Sequence, residues 1–221
     1  MVKCKNYILL VVLLLATELY AQEMRTSYEI KIPFSGRFEF ETGSQIKFIK
    51  NSPDYNKVLD TENSIRYTFN KSTDITIGYK TSFFQQDKES LNNSAEDDKM
   101  RLNLDVSFNL PVRHSPLHGK YRVRFQYSQY SDNQDEEKYY MRNRLSFKYK
   151  IHKTFQPYFS DEIYFDITNK SLKFNRIRVG LETRLNKIAG LDLYFINELK
   201  LKQECIRFQY IAGITLGIKI S

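Results

Sequence analysis

The chain has no tryptophan, three histidines and two cysteines among 221 residues, and each scarcity closes off a class of function. Cys4 and Cys205 are both needed for a disulfide, yet Cys4 lies in a leader and Cys205 near a turn, so no disulfide framework and no zinc constellation follows. Cys4 also precedes the first apolar run, away from any cleavage position, so nothing points to a lipoprotein anchor. His114, His118 and His152 fall in expected turns, where no strand serine faces them as a nucleophile. His114 and His118 are four apart without a third ligand, which argues against a metal site. The reading therefore expects no catalytic residue, no metal and no cofactor.

Long hydrophobic runs are scarce as well. The run Ile8 to Leu15 is too short for a spanning helix, and Lys3 and Lys5 precede it. Leu19, Tyr20 and Ala21 then offer a cleavage site before Gln22, so residues 1–21 read as a secretory signal peptide. Its removal takes away Lys3, Lys5 and Glu18 and leaves a net charge of about +7. The remaining basic residues alternate with apolar ones instead of forming a stripe, which argues against nucleic acid as a partner.

What the chain does have is alternation with period two. In Met100 to Leu110 the apolar set is Met100, Leu102, Leu104, Val106, Phe108 and Leu110, while Arg101, Asn103, Asp105, Ser107 and Asn109 face the other way. Ten such segments are expected: 36–48, 64–70, 74–84, 99–110, 120–129, 139–151, 155–167, 172–185, 191–202 and 206–220. Most approach the roughly 9 to 11 residues that a tilted strand needs to cross a hydrocarbon layer. Residues 70–73, 152–154 and 186–190 are short connections; 50–63, 85–98 and 130–138 are longer and polar. Short turns alternating with long loops are the habit of outer-membrane barrels. The expected fold is thus an all-β, closed, antiparallel up-and-down barrel of about ten strands over 36–221, preceded by an N-terminal periplasmic segment, 22–35. An even strand number sets both termini at the periplasmic end. Tyr and Phe near strand ends, such as Tyr139, Tyr140, Phe155 and Tyr158, fit interfacial girdles.

Hairpin arithmetic orders the polar face. Arg144 falls opposite Glu162, Glu162 opposite Arg178, Arg178 near Glu198, Arg124 beside Arg144, and Asp105 beside Arg124, with register errors of about two residues. Asp105, Arg124, Arg144, Glu162, Arg178 and Glu198 therefore form an expected lumenal charge network, structural or selective. Opposed pairs contribute roughly 0.2 to 1 kcal/mol each. The structural role is favoured, because a ten-stranded barrel is little wider than those that side chains already fill. The alternative is a selectivity ring of Arg122, Arg124, Arg142, Arg144, Arg176 and Arg178. On the apolar face Asn143, Asp161, Asn175 and Asn197 stand out; the arithmetic sets Asp161, Val179 and Asn197 in one row with Asn143 diagonal to Asp161, a polar spot.

Three segments carry a resemblance: Arg142-Asn143-Arg144, Gln156 to Glu162, and Phe174 to Leu181. Together they resemble the uncharacterised outer-membrane barrel family labelled domain of unknown function DUF2490. The resemblance implies Arg-rich strands flanking a strand with an Asp-Glu step, here Asp161 and Glu162, over most of the mature chain, and it brings no activity or catalytic residue. The final strand resembles the signal read by the barrel-assembly machinery, with Ser221 where that signal has an aromatic. The expected location is the outer membrane, with its lipid and the assembly machinery as partners. Period two does not tell inside from outside, so the rival is a soluble periplasmic barrel with its apolar face inward, binding a lipid or other hydrophobic ligand.

Overall fold

A computed structural model describes residues 21–50, 55–85, 99–112, 115–130, 137–152, 154–202 and 205–220. The expected leader through Tyr20, most of the expected 85–98 loop and His114 lie outside the described residues. Among the described residues eleven strands make up the fold: β1 Glu23–Pro33, β2 Phe38–Lys50, β3 Tyr55–Asn70, β4 Thr73–Gln85, β5 Lys99–Pro111, β6 Leu117–Tyr130, β7 Lys138–Tyr149, β8 Phe155–Asp166, β9 Ser171–Arg184, β10 Ala189–Lys202 and β11 Cys205–Lys219. Consecutive strands pair antiparallel, and β1 pairs β11 to close the barrel. Followed once round, the registers return to β1 displaced by about 14 residues, which tilts the strands by roughly 40°.

Closure corrects the expectation at its most specific point. Residues 22–35, assigned to a segment ahead of the barrel, supply β1, and its pairing with β11 is parallel, from Glu23 with Ile211 to Lys31 with Lys219. The barrel is therefore mixed, not purely up-and-down. An odd strand number also separates the outer ends: β1 begins where β2 hands over to β3, whereas β11 finishes beside the β1–β2 turn. The expectation that both termini share one end does not hold.

The expected 50–63 loop is also shorter, because β3 starts at Tyr55. Its outward residues Thr61 and Asn63 are as polar as many inward ones, so the contrast between faces fades over the first half of the strand. They pair laterally all the same: Thr42 donates to Asn63 at 2.7 Å, and the Thr61 and Thr81 hydroxyls lie 3.0 Å apart. His118, expected in a turn, is the second residue of β6.

The faces are unambiguous. Ile77 is 64% exposed and Leu102 51%, whereas Asp105 and Glu162 are 5% and 4% exposed. Along β5 the apolar set Met100, Leu102, Leu104, Phe108 and Leu110 points outward and Asn103, Asp105 and Ser107 point in. The arrangement of the rival, apolar residues inside, is not the one the chain adopts. Buried apolar packing includes, besides Val58, Tyr140 and Tyr164 elsewhere, a small patch of Tyr194, Ile196 and Ile211 with Tyr158 against it. Two glycines make room there. A Cβ on Gly180 would run into the Tyr158 ring and one on Gly213 into the Tyr194 ring, so both tyrosines lie flat over bare backbone.

Candidate functional site

Charged side chains fill the barrel interior, and the strand registers explain which of them meet. Arg144 is the Cα partner of Glu162 and Asp105 that of Arg124. Glu162 lies opposite Arg176 instead of Arg178, Arg178 opposite Ser160 and Ile196, and Arg124 opposite Arg142. Each departure is two residues or fewer. The β8–β9 turn centres between Thr168 and Asn169 and not on Lys170, and moving a turn's centre by one residue moves every pairing by two; the register irregularity between Tyr164 and Phe165 gives back one residue of that shift.

Glu162 is the hub. Its carboxylate accepts two bonds from Arg142 Nη2, at 2.9 and 3.0 Å, and one from Arg122 at 2.9 Å, and it lies 3.6 Å from Arg176. Asp105 takes a bidentate pair from Arg124, Nε at 2.6 Å and Nη2 at 2.7 Å, with Arg122 at 3.6 Å. Glu198 accepts from Arg176 Nε at 3.0 Å. Charge-assisted fork geometry of this kind is the strong form of the hydrogen bond. Removing one member of a buried pair costs about 3 to 5 kcal/mol, because the survivor is stranded away from water.

Sequence reasoning missed Asp192, the partner of Arg178. Arg178 Nη2 donates to it at 2.6 Å and Tyr158 Oη at 2.9 Å, and the guanidinium lies 3.7 Å from the Tyr194 ring centroid. Arg142 sits 4.1 Å from the centroid of Tyr164 in the same manner. Interior aromatics thus insulate the arginines, and their inward parity among Arg and Glu neighbours was the available signal. A second acidic centre was also missed: Asp60, 1% exposed, lies 2.5 Å from Lys47 Nζ and 2.8 Å from Lys80 Nζ.

Arg144 is the exception among the expected residues. It stands opposite Glu162, yet its polar contact is a 3.3 Å bond from Nη2 to Ser160 Oγ, and the carboxylate next to it is taken by arginines from neighbouring positions. Long arginine side chains reach diagonally, so a Cα pair need not become an ion pair.

The polar spot lies outside, as its parity requires. Asn175 donates to Asp161 at 2.6 Å and Tyr121 to Asn143 at 2.8 Å, so these groups satisfy one another on the outer wall. Asp161 and Asn197 flank Ile177, where Val179 was expected.

Two cavities open inside the barrel, of about 470 and 440 Å³. Lys120, Arg122, Arg144 and Arg178 line both. Charged and hydroxyl-bearing side chains line both, with Phe147 and Tyr158 also in the wall of the second. Among the described residues no three His, Cys, Asp or Glu side chains come together to hold a metal ion.

No curated protein matches the chain. The family model described as protein of unknown function (DUF2490) matches residues 23–204, from the first residue of β1 to the connection that precedes β11. The match spans most of the chain and takes in the closing strand β1, which places that strand inside the family's common region: the chain belongs to the DUF2490 family.

Proposed function

We propose that the protein is an outer-membrane β-barrel, exported with loss of residues 1–21, whose charge-filled interior holds the wall together and leaves at most a narrow channel. One observation carries the reading. Large apolar side chains are exposed outward on strand after strand, while carboxylates and guanidiniums are buried within. In water that arrangement would expose a far larger apolar surface than a soluble monomer presents. In a hydrocarbon layer it is the expected pattern, with every backbone group paired round a closed sheet.

Aromatic pairs near both ends support the same placement. Phe34, Phe38 and Tyr67 stack at one end, with centroids 5.7 and 4.8 Å apart, and Tyr127 packs on Tyr139 at 5.3 Å at the other. Amphipathic rings of this kind sit at the headgroup level. The width supports the narrow lumen, since a barrel of this strand number is filled by its own side chains unless they withdraw. Lipid and the barrel-assembly machinery are the partners this reading requires.

Fractionation with a gel-mobility comparison tests it. Recovery in the outer membrane, with a mobility that changes on boiling the detergent extract, is the expected result. Recovery in the soluble periplasm, with no boiling-dependent change, would overturn it.

A further inference from the structure

The charges of the interior do not balance around β6 and β7. Arg122 faces Arg144 and Arg124 faces Arg142, two like-charged Cα pairs side by side. Like charges directly opposite one another are destabilising unless something neutral or negative lies between them. The carboxylates that serve this block are Asp105 and Glu162, with Glu62 3.7 Å from Arg124, and Glu162 is shared with Arg176. Among the described residues Arg144 is left with one serine hydroxyl. Lys120 makes no ion pair or hydrogen bond among the described residues, and the charged groups around it are Arg66, Arg122, Lys31 and Asp74.

The neighbouring inward row contains donors. Lys120 pairs with Ser146, Ser146 with Ser160, and Ser160 with Arg178. No carboxylate stands in that row. Among the described residues the buried Nε atoms of Arg122 and Arg178 have no acceptor. Both residues, with Lys120 and Arg144, line the two cavities in common, so these unpaired donor atoms gather where the cavities adjoin, while Glu182 and Asp192 in the wall of the second cavity are taken up by Lys148 and Arg178.

We propose that this junction is a binding site for a small multivalent oxyanion of the phosphate or sulfate class. Arg144 and Lys120 supply the charge, and Ser146 and Ser160 supply hydroxyl donors. A planar guanidinium matches two oxygens of a tetrahedral anion, and a lysine ammonium adds a point charge beside it. Chloride offers no such fork, so the site discriminates by geometry as well as by charge. The proposal deepens the narrow-channel part of the reading above and rests on it, because the anion must enter from a barrel mouth.

The test uses the full mature chain folded in detergent. The temperature at which the boiling-dependent gel shift is lost is measured in sodium phosphate and in sodium chloride at equal ionic strength. Phosphate is expected to raise the wild-type midpoint by roughly 5 °C at saturation. R144Q and K120Q lose that increment, and R144K, which keeps the charge but not the fork, loses most of it. If R144Q fails to show the folded gel form, K120Q and R144K decide. A wild-type increment no larger in phosphate than in chloride, or one that survives in R144Q or K120Q, overturns the site. A wild-type chain with no boiling-dependent shift at all refutes the membrane-barrel reading instead, so the two failures are distinct.

Discussion

Glu162 and Arg144 face each other across β7 and β8, yet they hold very different positions in the interior. Three guanidiniums converge on the Glu162 carboxylate, whereas Arg144 touches one hydroxyl. Glu162→Ala strands Arg122, Arg142 and part of Arg176 without a counter-charge and is expected to cost about 3 to 5 kcal/mol. Arg144→Ala removes an uncompensated cation and is expected to change stability by less than about 1 kcal/mol in the absence of bound anion. With no tryptophan to report unfolding, the loss of the folded gel form in rising urea gives both values. Equal losses for the two variants would contradict the ion pairing described. At this scale the sequence carries identity and parity: that Asp105, Arg124, Arg144, Glu162, Arg178 and Glu198 share the polar face follows from alternation alone. It does not carry partnership, because an arginine side chain spans two rows and selects its acceptor in three dimensions. That is why Arg178 finds Asp192, absent from the expected network, and not Glu198.

Strands β2 to β11 are legible because one face is apolar, the other polar, and the turns between them are short or rich in polar residues. The boundaries drift where that contrast fades, as in β3, whose outward Thr61 and Asn63 resemble loop residues. β1 is a different case. Met24, Tyr28, Ile30 and Ile32 alternate with Arg25, Ser27, Glu29 and Lys31, so the pattern is present, but an even-stranded scheme with both ends together has no place for it. The parallel seam supplies the place. Ser27 Oγ lies 2.7 Å from Thr215 Oγ1 across it. In a background with Cys205 replaced, cysteines at Ser27 and Thr215 are therefore expected to form a disulfide under mild oxidation, while cysteines at Ser27 and Lys219 do not, since Lys219 is the partner of Lys31. Non-reducing gels after proteolysis between the two positions separate the outcomes. Efficient cross-linking of the second pair and not the first would contradict the register.

At the scale of the whole molecule the fold is an inside-out arrangement: charge buried in a closed wall and hydrocarbon presented outward. Alternation predicts two faces, and only closure of the sheet decides which is inside. The interior charges are what make that direction stable, since reversing the faces would place Glu162 and its arginines on the outer wall and break the cluster they form. The outward pair of Asp161 and Asn175 is satisfied as well, each group meeting the other on the outer wall. The most direct measurement is a scan of single labelled cysteines along β5, from position 102 to 108, in vesicles whose lipid chains carry a fluorescence quencher. The account expects strong quenching at Leu102, Leu104, Val106 and Phe108 and little at Asn103, Asp105 and Ser107. Quenching at the odd positions, or at none of the seven, would contradict it.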